Sequence, residues 1–176
     1  VNGLCVFAKK YQIPVHASTG TILALKQKGT LCEKHIDISI NDSPLTVAGL
    51  EIKPFKTSHD CADGRGYVIT GCDGTTKIAI ATDTGYVSND ILQHLTGCRL
   101  VYIESNHDVA MLRSGPYPYQ LQKRILSDIG HLSNDACADT LTALINKGTT
   151  HFVLAHLSQE NNTPELAYNT SVNALR

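Results

Sequence analysis

The chain has 176 residues, 42% of them hydrophobic and 18% charged, with a formal net charge of −1. It is long enough for one domain with a real core and too apolar to be disordered. The balanced charge excludes a basic footprint for nucleic acid, although a bound cation can supply positive charge locally. Six cysteines, at positions 5, 32, 61, 72, 98 and 137, contain no C-x-x-C pair. That spacing argues against a zinc knuckle and for reduced thiols in a cytoplasmic protein. No apolar stretch approaches the ~20 residues of a transmembrane helix, so no membrane partner is expected.

The first helix is predicted from Leu4 to Tyr11, with apolar residues mostly on one face and an end before Ile13-Pro14. A short strand follows at 14–17. Ser18 or Thr19 then caps a helix through Leu25 that stops at Gly29. Residues 35–58 read as strands: Ile36, Ile38 and Ile40 alternate with Asp37, Ser39 and Asn41, and Leu45, Val47, Leu50 and Ile52 continue the pattern. A polar loop over 60–66 leads to two strands, 66–70 and 77–82, joined by Gly71-Cys72-Asp73-Gly74, a hairpin signal. Ser88 or Asn89 caps a helix ending at Gly97, and a strand follows at 99–103. Helical segments then dominate: a turn over 109–112, a break at Gly115-Pro116-Tyr117-Pro118, a segment through Leu121 and Ile125, and a long helix from Ser133 or Asn134 to Lys147-Gly148. A strand at 150–155 and a helix opened by Pro164 finish the chain. Helices interleaved with strands, one pair of them a hairpin, imply an α/β domain with a mixed sheet, spanning 1–176 as one unit.

The apolar runs end on residues that bind metals. One ends at His59-Asp60, one at Asp83, one at His156, and a fourth at Glu104-Ser105-Asn106-His107. Strands of one sheet can present their ends along one edge, where two imidazoles and a carboxylate can share a cation. Each residue also has a commoner role. His59 can bond locally within its loop, Asp83 can cap its strand as an Asx-turn, and His156, flanked by apolar residues, can be a core histidine. A carboxylate closing an apolar, buried strand at Asp83 needs a partner or a metal. His131 precedes the longest predicted helix, whose N-terminus favours anions, so it can donate to a phosphate or a leaving group; its ordinary role is loop packing. His107 has no assignable role from spacing, and His16, His35, His94 and His151 look structural. There is no G-x-S-x-G elbow and no phosphate loop, and Gly64-Arg65-Gly66 is too short for a dinucleotide fingerprint.

Five segments occur in a recognisable order: Ser58-His59-Asp60, Ala81-Thr82-Asp83-Thr84-Gly85-Tyr86, Glu104-Ser105-Asn106-His107-Asp108, Gly130-His131-Leu132-Ser133-Asn134 and Ala155-His156-Leu157-Ser158. In this the chain resembles the metallo-β-lactamase-fold hydrolases, and within them the YycJ (WalJ)-like branch, over essentially its whole length. The resemblance implies an αββα sandwich with a metal site at one sheet edge. It implies that His59 and His156 are ligands of the first and second of two divalent metals, zinc or manganese, that Asp83 lies between them, and that His131 is a non-ligand histidine near a scissile phosphate. It further implies a dinuclear phosphodiesterase, a 5′-3′ exonuclease with double-stranded DNA as substrate. Hydrolysis of another ester, RNA or a thioester, is the alternative, as is an inactive remnant or scaffold. The family's H-x-H-x-D-H signature is absent, and the chain opens on Val1. An N-terminally incomplete sandwich is therefore expected, its remaining ligands lying upstream.

Overall fold

The computed structural model describes residues 3–31, 37–40 and 43–176. The expectations stated for Cys32, His35, Ile36 and Asn41 fall outside the described residues. Helix α1 (Leu4–Tyr11) ends at Gln12, whose φ of 51° turns the chain out before Ile13-Pro14. Strand β1 (Val15–Ala17), helix α2 (Thr19–Gln27) and strand β2 (Asp37–Ser39) form a unit in which β1 and β2 pair in parallel as a separate two-stranded sheet. The predicted strand run over 35–58 is thus divided between two sheets. Alternation fixes which side chains share a face, but it does not name the partner strand.

The large sheet is ordered β3 (Leu45–Val47), β4 (Leu50–Lys56), β5 (Arg65–Thr70), β6 (Lys77–Ala81), β7 (Leu100–Glu104), β8 (His151–Ala155). Its first four strands are an antiparallel meander, and β6, β7 and β8 are parallel. The β3–β4 turn is Ala48-Gly49, both at positive φ, the hairpin geometry that matches strand twist. Helix α3 (Asn89–Leu95) links β6 to β7, and α4 (Val109–Ser114), α5 (Tyr119–Ile125) and α6 (Asn134–Ile145) link β7 to β8. Both crossovers step across the sheet in the same direction, so right-handed connections put α3 and α6 on one face. There Ile91, Leu95, Cys137, Leu141 and Leu144 bury against Ala79, Ala81, Val101 and Ile103. Helix α7 (Pro164–Ala174) packs on α6. Side chains from Ser88, Asp108, Ser133 and Thr163 cap α3, α4, α6 and α7, each worth about 1 kcal/mol.

The other face of the sheet presents Ile78, Tyr102 and Val153 to solvent. A parallel sheet segment apolar on both faces is built to be covered on both, and in an αββα arrangement this face meets the second sheet. Among the described residues Cys5, Cys61, Cys72, Cys98 and Cys137 are free thiols, and burial pushes Cys137 up to about 12. No helix of the described residues is long and apolar enough to cross a membrane. Strand β4 is antiparallel to β5, and β5 to β6, so β4, β6, β7 and β8 all point the same way. Their C-terminal ends share one edge, which is where ligands bind in open α/β sheets.

Candidate functional site

That edge gathers His59, Asp83, Glu104 and His156, each at or just beyond the end of its strand, and the loop entering α6 adds His131. Asp83 and His156 leave their strands in the left-handed region, at φ 54° and 56°. Non-glycine residues there carry about 1–2 kcal/mol of strain each. Only four non-glycine residues among those described have positive φ, and two of the four are in this cluster. Strain held at a site of convergent ligands is the pattern of a functional constraint.

The imidazoles are oriented from behind. His59 Nδ1 donates to the Gly130 carbonyl at 2.7 Å, and His131 and His156 each donate Nδ1–H to one oxygen of Glu104, at 2.7 and 2.8 Å. Each bond fixes the tautomer and leaves Nε2 with a free lone pair. Asp83 Oδ1 lies 3.7 Å from both the His59 and the His156 Nε2 atoms. That spacing is too long for a hydrogen bond, and it suits ligands that each hold a cation at ~2.0–2.2 Å. The ring centroids of His59 and His131 are 4.7 Å apart, and those of His131 and His156 are 5.2 Å apart. Ligand atoms of His59, Asp83 and His131, and of Glu104, His131 and His156, form two groups within 4.8 Å. The donor set fits a divalent cation: neutral nitrogen lone pairs and an oxygen converge with no hydrogen bond between them. Nitrogen and carboxylate donors suit zinc and manganese.

Glu104 is the structural centre of this arrangement. It is 0% exposed, and its second oxygen accepts the Thr84 N–H at 2.9 Å. Burial works to raise its pKa, but the hydrogen bonds from His131, His156 and Thr84 outweigh it and hold the carboxyl below its ordinary value. The bond from Glu104 in turn raises the His156 pKa, burial opposing it. The surrounding loops are stitched together by short contacts. Ser58 Oγ donates to the Asp128 carbonyl at 2.7 Å, Gly85 N–H to Ser58 O at 2.7 Å and Asp60 N–H to Ile129 O at 3.0 Å. A Cβ on Gly130 would sit 2.2 Å from the Ile125 carbonyl oxygen, so only glycine lets the His131 loop close on α5. Arg124 of α5 grips Asp60 with both Nε and a terminal nitrogen. That hydrogen bond holds the Asp60 carboxyl below its usual range and raises Arg124.

The four residues singled out in the sequence, His59, Asp83, His131 and His156, are therefore brought together. One premise fails: the Asp83 side chain is 47% exposed, so a need to neutralise a buried charge does not explain it. The β6 strand is covered on its helical face, but Asp83 lies beyond its end at the open edge. His156 is likewise 42% exposed and not a core histidine. Glu104 was visible as a fourth strand end, but its hold on two histidines was not. His107 is buried at 1% exposure, and neither ring nitrogen has a protein partner. Burial pushes its pKa down to about 4. His94 stacks on Phe55, consistent with a structural role.

A family model described as a β-lactamase superfamily domain matches residues 1–157. The exodeoxyribonuclease YycJ of Bacillus anthracis is 39% identical over 169 residues, covering 95% of this chain and 63% of that protein. The exodeoxyribonuclease WalJ of Streptococcus pneumoniae serotype 2 is 36% identical over 178 residues, covering 99% of this chain and 65% of that one. The chain thus spans just under two thirds of the length of these relatives. The crystal structure of the metallo-β-lactamase fold protein YhfI from Bacillus subtilis superposes with a TM-score of 0.69 at 19% identity, over 96% of this chain and 63% of YhfI. On its sequence, its sheet and the histidines and carboxylates gathered at the sheet edge, this chain belongs to the metallo-β-lactamase-fold superfamily, beside YycJ and WalJ.

Proposed function

We propose that this chain carries one side of the metal centre of a phosphodiesterase that removes nucleotides from the 5′ end of double-stranded DNA. The carrying observation is the convergence of Asp83 Oδ1 with the Nε2 atoms of His59 and His156, each imidazole pinned through Nδ1. In this reading His59, Asp83 and His156 would be ligands of two divalent cations, zinc or manganese. When bound, such cations supply positive charge that polarises a phosphodiester and lowers the pKa of water near it.

The chain's own residues do the rest. His131 donates Nδ1–H to Glu104, and in its doubly protonated form the Nε2–H can pass its proton to the leaving oxygen. Glu104 fixes the direction of that imidazole. DNA as substrate is supported by the two relatives named as exodeoxyribonucleases. The continuous core formed by β4 to β7 with α3 and α6 supports reading the chain as one domain. The test is digestion of a 5′-labelled duplex by the full-length protein with Mn²⁺, compared with Asp83→Ala. Release of label that the substitution abolishes is the expected result. No release by metal-loaded protein overturns the reading, and turnover of RNA or a thioester instead gives the site to that ester.

A further inference from the structure

A compartment of about 490 Å³ opens directly beside the candidate centre, with His131 and His156 in its wall. One side is the turn into α5 and α5 itself, with Tyr117, Leu121 and Arg124; the other is the loop after β8, with Ser158, Gln159 and Glu160. A group esterified to a phosphate held at the imidazoles has this space next to it. The volume lies toward the lower end of the ~300–1,000 Å³ that enclose one small ligand, which is room for one nucleoside and not for a run of them.

The charges select which part of a nucleotide enters. Among the described residues of the wall Arg124 is the only lysine or arginine, and Asp60 accepts from its Nε and one terminal nitrogen, which offsets its charge and leaves the other terminal nitrogen open. Glu160 adds a carboxylate. A second phosphate would find only this already paired arginine and would meet the like charge of Glu160, so a neutral group is favoured there. A neutral sugar and base meet the aromatic ring of Tyr117, the apolar Leu121 and the hydrogen-bonding Ser158 and Gln159. Aromatic side chains hold bases without regard to sequence because every base has a π-face.

We propose that this compartment is the subsite for the terminal nucleoside of the substrate, with the base on Tyr117, and that its volume sets the product to single nucleotides. The proposal rests on the nuclease reading above. The test uses the full-length protein with Mn²⁺ and two duplexes, one with an ordinary terminal nucleotide and one whose terminal nucleotide lacks its base. Tyr117→Ala is expected to lower the intact-to-abasic ratio of kcat/KM by about tenfold or more, and Tyr117→Phe to keep it within about twofold. Tyr117→Leu, which retains apolar bulk but has no ring face, should behave as the alanine variant and covers the case in which that variant is unstable. Equal losses on the two duplexes, no loss, or dinucleotide products from the wild type overturn the subsite while leaving the nuclease reading intact. Wild-type protein that hydrolyses bis(p-nitrophenyl) phosphate but releases nothing from either duplex overturns the nuclease reading, and the subsite with it.

Discussion

Replacing Glu104 with glutamine changes one atom and disturbs two histidines. The carboxylate now accepts three hydrogen bonds, from His131 Nδ1 at 2.7 Å, His156 Nδ1 at 2.8 Å and Thr84 N–H at 2.9 Å. A glutamine has one accepting oxygen and one donating NH₂. If its oxygen faces the imidazoles, the NH₂ meets the Thr84 N–H, donor against donor. If it turns around, the NH₂ faces both Nδ1 atoms, and each ring must move its proton to Nε2, which takes from His156 the lone pair offered to a cation. Either orientation weakens the site, without leaving the hole that Glu104→Ala would. Loss of a group that orients metal-binding histidines typically lowers affinity 10–100-fold, about 1.4–2.7 kcal/mol. Competition for Mn²⁺ or Zn²⁺ against a chromogenic chelator measures it, with circular dichroism confirming the fold. Affinity within about twofold of wild type would refute the reasoning.

His107 is a base whose folded pKa, about 4, lies below its unfolded value of about 6.5. The unfolded chain therefore takes up the proton first, and stability is lost as pH falls from about 6.5 to about 4, by about 3 kcal/mol in all. Glu104, His131, Asp108 and Asp135 are the charged neighbours, and they are unchanged in His107→Leu. Urea midpoints at pH 7 and pH 4.5 should converge for that variant relative to wild type; parallel pH dependence contradicts the assignment. Asp83→Gly removes the Cβ from a left-handed position at φ 54° and should stabilise the metal-free protein by about 1 kcal/mol while weakening metal binding. A variant less stable to urea than wild type would show that the strain is not there.

Much of the fold is written in short stretches of the chain. Ser18, Ser88 and Ser133, each named as a cap or helix start from the sequence, cap α2, α3 and α6, because capping involves only the next turn of backbone. Strand ends at His59, Asp83, Glu104 and His156 are equally local, visible where an apolar run stops on a histidine or a carboxylate. Partnerships between distant segments are not. The pairing of β2 with β1, the single carboxylate shared by His131 and His156, and the Asp60–Arg124 clasp join residues 22 to 64 positions apart. No periodicity links such positions, so their contacts follow only once the sheet has fixed its strand order. Which residues are candidates to hold a metal, and that strands carry them to their ends, is legible from the chain alone. That the strands run the same way, so that those ends meet at one edge with Glu104 buried behind the histidines and a compartment of about 490 Å³ beside them, follows only from the packed sheet.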